Sequence, residues 1–393
     1  MLNLSNQTKL WLAILLLATA PLIAQQETGK SRPQKSFEQG PKLTQSQLMP
    51  GYNAPASIQV VDSWDVYATA SYIYWQAQQE NIEIGMISKN VPEGLEDTPF
   101  TTNYKNNISV TNPNFTYRPG FKFGIGANLN RDDWDVFAEY TWFHGGIGSG
   151  VTPLTPNTST TSIPNGEYLF PLQGQFNDTT DFFKNADQAW RLKIDFLDLS
   201  IGRSYYSGTR LAVKPFFGAR GAWIRQALRT TYSAENIVFT NTTAQQAEFN
   251  DSSTSWGVGP RAGVESSWLL GYGVRLIGNG SADILYTRYE TQSNDQGTHV
   301  TVPTVNPIAQ NISISQTVDY LRTHVSMEMG FGWGSYFDND NWHIDLSANY
   351  GFQIFWNQNM FRNFENTPDI TKSFAPNGNL YIHGLTVNGR LDF

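Results

Sequence analysis

The stretch FKFGIGANLNRDDWDVFAEYTW, residues 121–142, decides the fold. Phe121, Phe123, Ile125, Ala127 and Leu129 share one face, with Lys122, Gly124, Gly126 and Asn128 on the other. After a polar break at 130–133, Trp134, Val136, Ala138, Tyr140 and Trp142 alternate with Asp135, Phe137, Glu139 and Thr141. Alternation with period two on both sides of a short turn is a β-hairpin with one apolar face. A soluble sandwich uses such hairpins too, so the rest of the chain must say which face is dry.

The pattern repeats. Trp190, Leu192, Ile194 and Phe196 alternate with Arg191, Lys193 and Asp195, after which the phase flips to Leu197, Leu199 and Ile201. Such a flip reads as a β-bulge. The run Leu211 to Trp223 carries Lys214 and Arg220 on its polar face, and Trp256 to Trp268 faces away from Arg261 and Glu265. Val274 to Tyr286 opposes Arg275 and Asp283; Val325 to Trp333 opposes Arg322, His324, Ser326 and Glu328; Trp342 to Trp356 opposes His343 and Asp345. Pro215 and Pro260 fall inside these runs, where each removes a ladder donor, so bulges or fraying are expected there.

Turn lengths sort by side. Breaks of a few residues alternate with the long segments 78–114, 145–189, 226–253, 290–316 and 357–378, rich in Thr, Asn, Ser and Pro. Short turns on one side and long loops on the other are the habit of outer-membrane barrels. The fold expected is therefore all-β: a transmembrane antiparallel β-barrel of about 10–12 strands, with short periplasmic turns and long extracellular loops. Ten strands are clear from residue 64 onward, and alternation at Ile82, Ile84 and Met86 leaves room for a further hairpin. Closing the sheet on itself removes the edge that lipid would not tolerate.

Composition agrees. Aromatics make up 14% of the 393 residues and charged residues only 15%, where soluble domains carry about 25% charge. A net charge of −8 without a Lys/Arg cluster argues against nucleic acid, and the absence of cysteine excludes disulfides and thiolate metal sites. Lys9 followed by the apolar run LWLAILLLA (10–18) reads as a signal peptide over 1–24, cleaved after Ala24. Residues 25–63 read as a flexible periplasmic segment and 64–393 as the barrel.

Six tryptophans are girdle candidates, at the ends of apolar faces: Trp134, Trp142, Trp256, Trp268, Trp342 and Trp356. In the last strand Tyr381, His383, Leu385, Val387, Gly389, Leu391 and Phe393 share one face. Within that face Tyr381, Leu385, Val387, Leu391 and Phe393 are a candidate signal for the barrel assembly machinery, which adds such strands to a sheet edge. Lys122, Glu139, Arg191, Lys193, Arg220, Arg261, Glu265, Arg275, Asp283, Arg322, Glu328 and Asp345 are the candidate lumen-facing charges. Facing rows of opposite charge select small solutes in an open lumen, and fill the centre with salt bridges in a closed one. Inward glycines such as Gly124 and Gly126 leave room for bulkier neighbours. No HExxH, GxSxG or Walker sequence occurs, and His324 with Ser326, or His343 with Asp345, is the faint hydrolase alternative.

Several segments share wording with a known family: SYIYWQAQQENIEI from Ser71, PGFKFGIGANLNRDDWDVFAEYTWFH from Pro119, LDLSIGRSYYSG from Leu197 and KPFFGARGAWIRQ from Lys214. SWGVGPRAGVESSW from Ser255, NYGFQIFWNQNMF from Asn349 and NLYIHGLTVNGRLDF from Asn379 complete the set. The chain resembles the Legionella-type major outer membrane proteins, whose relatives in environmental chlamydiae are MOMP-like porins. That resemblance implies an abundant porin of the bacterial outer membrane that also contacts host cells. The chain departs from it in lacking cysteine, which takes away any disulfide-linked envelope network. The leading expectation is passive diffusion of small hydrophilic solutes. The alternative is a non-conducting adhesin or structural barrel acting through its long loops. Outer-membrane lipid and the assembly machinery are expected partners, a homo-oligomer and host-cell surfaces are left open, and no enzyme activity, cofactor, metal or nucleic acid is expected.

Overall fold

The computed structural model describes residues 54–61, 64–88, 108–129, 133–151, 168–172, 185–233, 246–299, 308–367 and 370–393. Ala24, its cleavage site and the rest of the N-terminal reading up to residue 53 lie outside these residues. Ten long strands run up and down around a closed ring: β1 (Val66–Gln79), β2 (Tyr117–Asn128), β3 (Trp134–Val151), β4 (Asn185–Arg203), β5 (Leu211–Ser233), β6 (Gln246–Gly271), β7 (Val274–His299), β8 (Ile308–Phe337), β9 (Trp342–Phe355) and β10 (Leu380–Asp392). Each pairs antiparallel with the next, and β10 pairs with β1 from Leu380↔Gln79 to Asp392↔Tyr67. The barrel is all-β and closed, with ten strands.

The extra hairpin suggested by Ile82, Ile84 and Met86 is not part of that ring. Gly85–Ser88 pairs with Ile108–Thr111 and Tyr168–Pro171 in a separate three-stranded sheet. Ile82 and Ile84 are instead buried within apolar clusters at the long-loop end.

The barrel has two storeys. In the lower one, next to the short turns, Phe123, Ile125, Leu197, Leu199, Phe217, Val258, Met327, Met329, Phe331 and Phe352 all point outward and are exposed. On β6 this apolar band runs from Trp256 to Trp268. At ~3.3 Å per residue and a tilt of ~40° it covers roughly 30 Å of membrane normal. The upper storey continues past it, because β6, β7 and β8 are 26, 26 and 30 residues long. Within the segments 226–253 and 290–316, read from sequence as loops, residues 226–233, 246–253, 290–299 and 308–316 are therefore strand. Their outer faces are polar, as Glu248, Asn250, Ser252 and Thr254 show, while Ala247 and Phe249 fill the inside.

The change of medium explains the flip at Phe196/Leu197, where no bulge exists. The register of β4 against β5 is continuous through Phe196↔Ala222 and Leu197↔Gly221. Leu192, Ile194 and Phe196 point inward and are buried; Leu197 and Leu199 point outward into the lipid band. One strand crosses from water to hydrocarbon, so the chemistry changes sides while the backbone alternates undisturbed. Arg191 and Lys193 consequently face outward, not into the lumen as their sequence pattern suggested.

Neither proline causes a bulge, and the fraying expected as the alternative occurs at Pro260. Pro215 lies just beyond the last β4–β5 pair, Gly202↔Phe216, so its missing donor breaks nothing there. At Pro260 the β6–β7 ladder skips from Val258↔Tyr286 to Arg261↔Asp283 and resumes in the same register.

Candidate functional site

The barrel interior is built from the inward positions of all ten strands, in three levels. Nearest the short turns is a polar cavity of about 340 Å³, reaching Lys122, Glu139, Asp198, Arg261, Glu265 and Arg275. Its charges are mixed and mostly paired. Lys214 donates to Asp135 at 2.6 Å and lies 3.7 Å from Glu265. Arg275 pairs with Asp345, Tyr67 donates to Asp135 at 2.7 Å, and Lys122 lies 3.5 Å from Glu139 and 3.8 Å from Glu328. The Lys122–Glu328 contact spans the lumen, since β2 and β8 are separated by three strands of the ring. The room these side chains use comes from Gly124 and Gly126: a Cβ at either would strike the ring of Phe137 or Tyr67, which stack on each other at 5.6 Å.

The second level is a buried ion network. Asp198 on β4 accepts two bonds of 2.6 Å from the Nε and Nη2 of Arg220 on β5, and another of 2.5 Å from Arg261 on β6. Arg220 also donates to Asp283 on β7 at 3.0 Å. Nδ1 of His324 on β8 lies 2.8 Å from the same Asp283 oxygen. The same ring nitrogen also lies 2.9 Å from Nη1 of Arg220, so it stands between the two members of that ion pair. Five charged or polar groups from five consecutive strands are thus tied together; four of them are buried, and Arg261 borders the cavity.

The third level is apolar. Trp75, Phe143, Trp190, Leu192, Ile194, Phe196, Ile224 and Phe355 pack into one buried cluster with Ile82 and Phe361 from the long-loop side. Phe196 on β4 and Phe355 on β9 stack at 5.6 Å, and these strands stand five places apart in a ring of ten. Their rings meet across the lumen's diameter. His324 stacks on Phe355 at 4.0 Å, and the Arg220 guanidinium lies 4.8 Å from the Phe196 ring, so the ion network and the apolar plug are joined. Above them the loop after β9 is drawn inside: Gln358, Asn359, Met360 and Phe361 are buried, and Gln358 accepts a 2.8 Å bond from Tyr289.

At the short-turn mouth the N-terminal segment lies across the cavity. The amide of Ala56 donates to Ser204 at 3.1 Å, that of Tyr206 to Ala54 at 2.8 Å, and that of Val61 to Asp340 at 2.9 Å. Ala56, Ser57 and Ile58 line the cavity.

Of the lumen charges expected from sequence, Lys122, Glu139, Arg220, Arg261, Glu265, Arg275, Asp283, Arg322, Glu328 and Asp345 face inward. Arg322 sits highest, donating to Tyr289 Oη at 3.2 Å. Arg191 and Lys193 do not belong to the set. The sequence reading missed Asp198, hub of the network, because it lay beyond the supposed bulge; unbroken alternation from Phe196 is the signal that finds it. It also missed Phe355, which sits between Ile354 and Trp356, where a run of apolar residues hides the period. The suggested His343–Asp345 pairing does not form: His343 lies 3.0 Å from Asp392, and Asp345 goes to Arg275. Ser326 is 2.7 Å from Ser281.

The girdle candidates sit at the borders of the lipid band. Trp134, Trp268 and Trp342 lie on outward faces near the short turns, Trp142 and Trp256 at the upper border, and Trp356 follows β9 directly. Tyr381, Leu385, Val387, Leu391 and Phe393 share the outward face of β10 and its end, with Phe393 5.7 Å from Trp342.

Comparisons with known proteins bear on this architecture. Three solved structures align over most of their length at low similarity. They are the outer membrane protease OmpT of Escherichia coli (9% identity, 86% of this chain, 99% of that one, TM-score 0.35), a mutant of TodX described as a monoaromatic hydrocarbon channel (11%, 84% and 90%, 0.25), and a Pseudomonas aeruginosa FadL homologue (8%, 85% and 90%, 0.26). No curated protein sequence is a significant match. The sequence profile described as the Legionella pneumophila major outer membrane protein precursor matches residues 59–393, a range that includes all ten barrel strands. With lipid-facing strands closed into a ring and that profile covering them, this chain belongs to the Legionella major outer membrane protein family, a family of the bacterial outer membrane.

Proposed function

We propose that the protein works as a closed outer-membrane barrel that carries a rigid β-structured upper storey and its loops to the cell exterior, serving as a structural or contact surface. The observation behind this reading is the stacking of Phe196 on Phe355 across the lumen, seated on the Arg220–Asp198–Asp283–His324 network. A solute crossing here would have to push apart a stacked pair of aromatic rings and an ion network whose members leave each other only at a cost of several kcal/mol. Host-cell surfaces are the partners this reading suits, since the upper storey stands well clear of the lipid.

The second reading, diffusion of small hydrophilic solutes, draws support from the cavity of about 340 Å³ with its mixed charges. It requires the Phe196–Phe355 contact to open. Planar-bilayer recordings of the refolded chain separate the two. The closed reading expects no stepwise current at moderate voltage; discrete, ion-selective steps from the wild-type protein would replace it with the channel reading.

A further inference from the structure

Lys193 on β4 and Arg225 on β5 are directly opposite each other, both exposed on the outer face of the barrel. Arg191 stands two residues higher on the same face of β4. Like charges directly opposite across an antiparallel ladder repel, and a sheet free to choose its outer residues would not place them so. Among the described residues no carboxylate answers these three cations. Asp195, next below, is engaged elsewhere: Tyr140 donates to it at 2.8 Å and His144 Nε2 lies 3.7 Å from it. The other outward arginines at this height are matched, Arg229 by Glu248 at 3.1 Å and Arg288 by Asp319 at 2.8 Å.

The position of the pair is equally specific. The row of partners immediately below is Trp142, Asp195, Trp223 and Trp256, running across β3 to β6. That row is the upper border of the lipid band, where indoles sit between hydrocarbon and water. The next row up is His144, Lys193, Arg225 and Thr254. Beneath both, Leu197 and Leu199 face the acyl chains. An apolar floor, an aromatic border and then uncompensated cations is the vertical order of a phosphorylated lipid: chains, glycerol or sugar, phosphate.

We infer that Lys193 and Arg225, with Arg191 above them, form a docking surface for the phosphate-bearing headgroup of an outer-leaflet glycolipid. The guanidinium of Arg225 supplies the planar, forked donor set and Lys193 a mobile point charge, a combination suited to a phosphate monoester. The bound phosphate removes the repulsion within the pair.

The test uses the full chain refolded in detergent, with bound lipid counted by native mass spectrometry. Diphosphoryl lipid A and its dephosphorylated form compete for wild-type protein and for the K193Q/R225Q double variant. The expected result is at least a tenfold preference of wild type for the phosphorylated form, lost in the double variant and retained in R288Q. No preference in the wild type overturns the inference, and so does an equal loss in R288Q, which would mark a general charge effect. Displacement of the lipid by millimolar inorganic phosphate also overturns it, because the surface would then be a site for the free anion. The gel shift of unboiled protein checks that each variant is folded; single variants K193Q and R225Q carry the same reading if the double variant fails that check.

Discussion

Arg220 holds Asp198 in a side-on grip, two hydrogen bonds of 2.6 Å between adjacent strands, with both side chains almost fully removed from water. Arg261 approaches the same carboxylate from the far side of Arg220's strand. Asp198 is thus the single acid between two guanidiniums. Asp198→Asn keeps the shape and removes the charge, leaving two cations facing a neutral amide. Losing one partner of a buried pair costs about 3–5 kcal/mol. The expected outcome is a clear drop in the urea midpoint of the refolded barrel, with D198N much worse than D187N on the exposed outer face.

The stacked pair Phe196–Phe355 leads to a conductance prediction. Phe196→Ala together with Phe355→Ala leaves a gap across the lumen's diameter, and each truncation costs about 3–5 kcal/mol of packing. If the double variant folds, bilayer recordings are expected to show transient openings absent from the wild type. Silence in both would mean that the ion network below is a sufficient barrier alone.

Asp251 and Asp295 give a pH prediction. They point inward on β6 and β7 in the upper storey, outside the lipid band. Burial pushes the Asp251 carboxyl up to about 7, opposed by a bond from Ser293 and helped by the neighbouring Asp295. Asp295 is pushed up to about 6, again by burial. A carboxyl raised in the folded state keeps its proton where the unfolded chain has lost its own. Stability therefore falls as pH climbs from ~4 through about 7, by up to a few kcal/mol. The thermal midpoint of the gel shift is expected to be higher at pH 5 than at pH 8. Asp251→Asn should shrink that difference, and an unchanged difference would contradict the assignment.

Two glycines in neighbouring strands should respond in opposite ways to alanine. At Gly259 an added Cβ would run into the carbonyl of Ile284, backbone that cannot move aside. At Gly280 it would meet nothing within 4 Å. Gly259→Ala should lower the urea midpoint markedly. Gly280→Ala should leave the midpoint unchanged, or raise it by stabilising the fold by about 0.5–1 kcal/mol through the lower entropy of the unfolded chain.

Much of this was legible in the residues. The faces of β9 and β10 emerge as read, Trp342 to Ile354 outward against His343 to Gln353, because lipid outside and polar groups inside give the strongest contrast a strand can show. The misplacement of Arg191 and Lys193 has a general cause. Period two tells which residues share a face, but not what medium that face meets. Where a strand outlasts the membrane, the rule for outside reverses midway. The long polar segments hid strands for a related reason, since in the upper part of β7 inward Thr287, Thr291 and Ser293 differ little from outward Glu290 and Gln292. The Phe196–Phe355 contact was beyond reach for another reason: it depends on strand order around the ring, and no local pattern encodes a meeting between residues on opposite walls.

Ser71 and Asn388, 317 positions apart, share a 2.9 Å hydrogen bond on the ladder that joins the first strand to the last. That ladder cannot begin to zip until almost the entire polypeptide has been made and delivered. Until then, the outer rim of β1 offers its bare amides and carbonyls to any passing strand, including those of sister molecules. Assembly of this protein is therefore a race between finding its own tail and tangling with a neighbour, and escorts that shield the incomplete sheet should matter more to its yield than to its final stability.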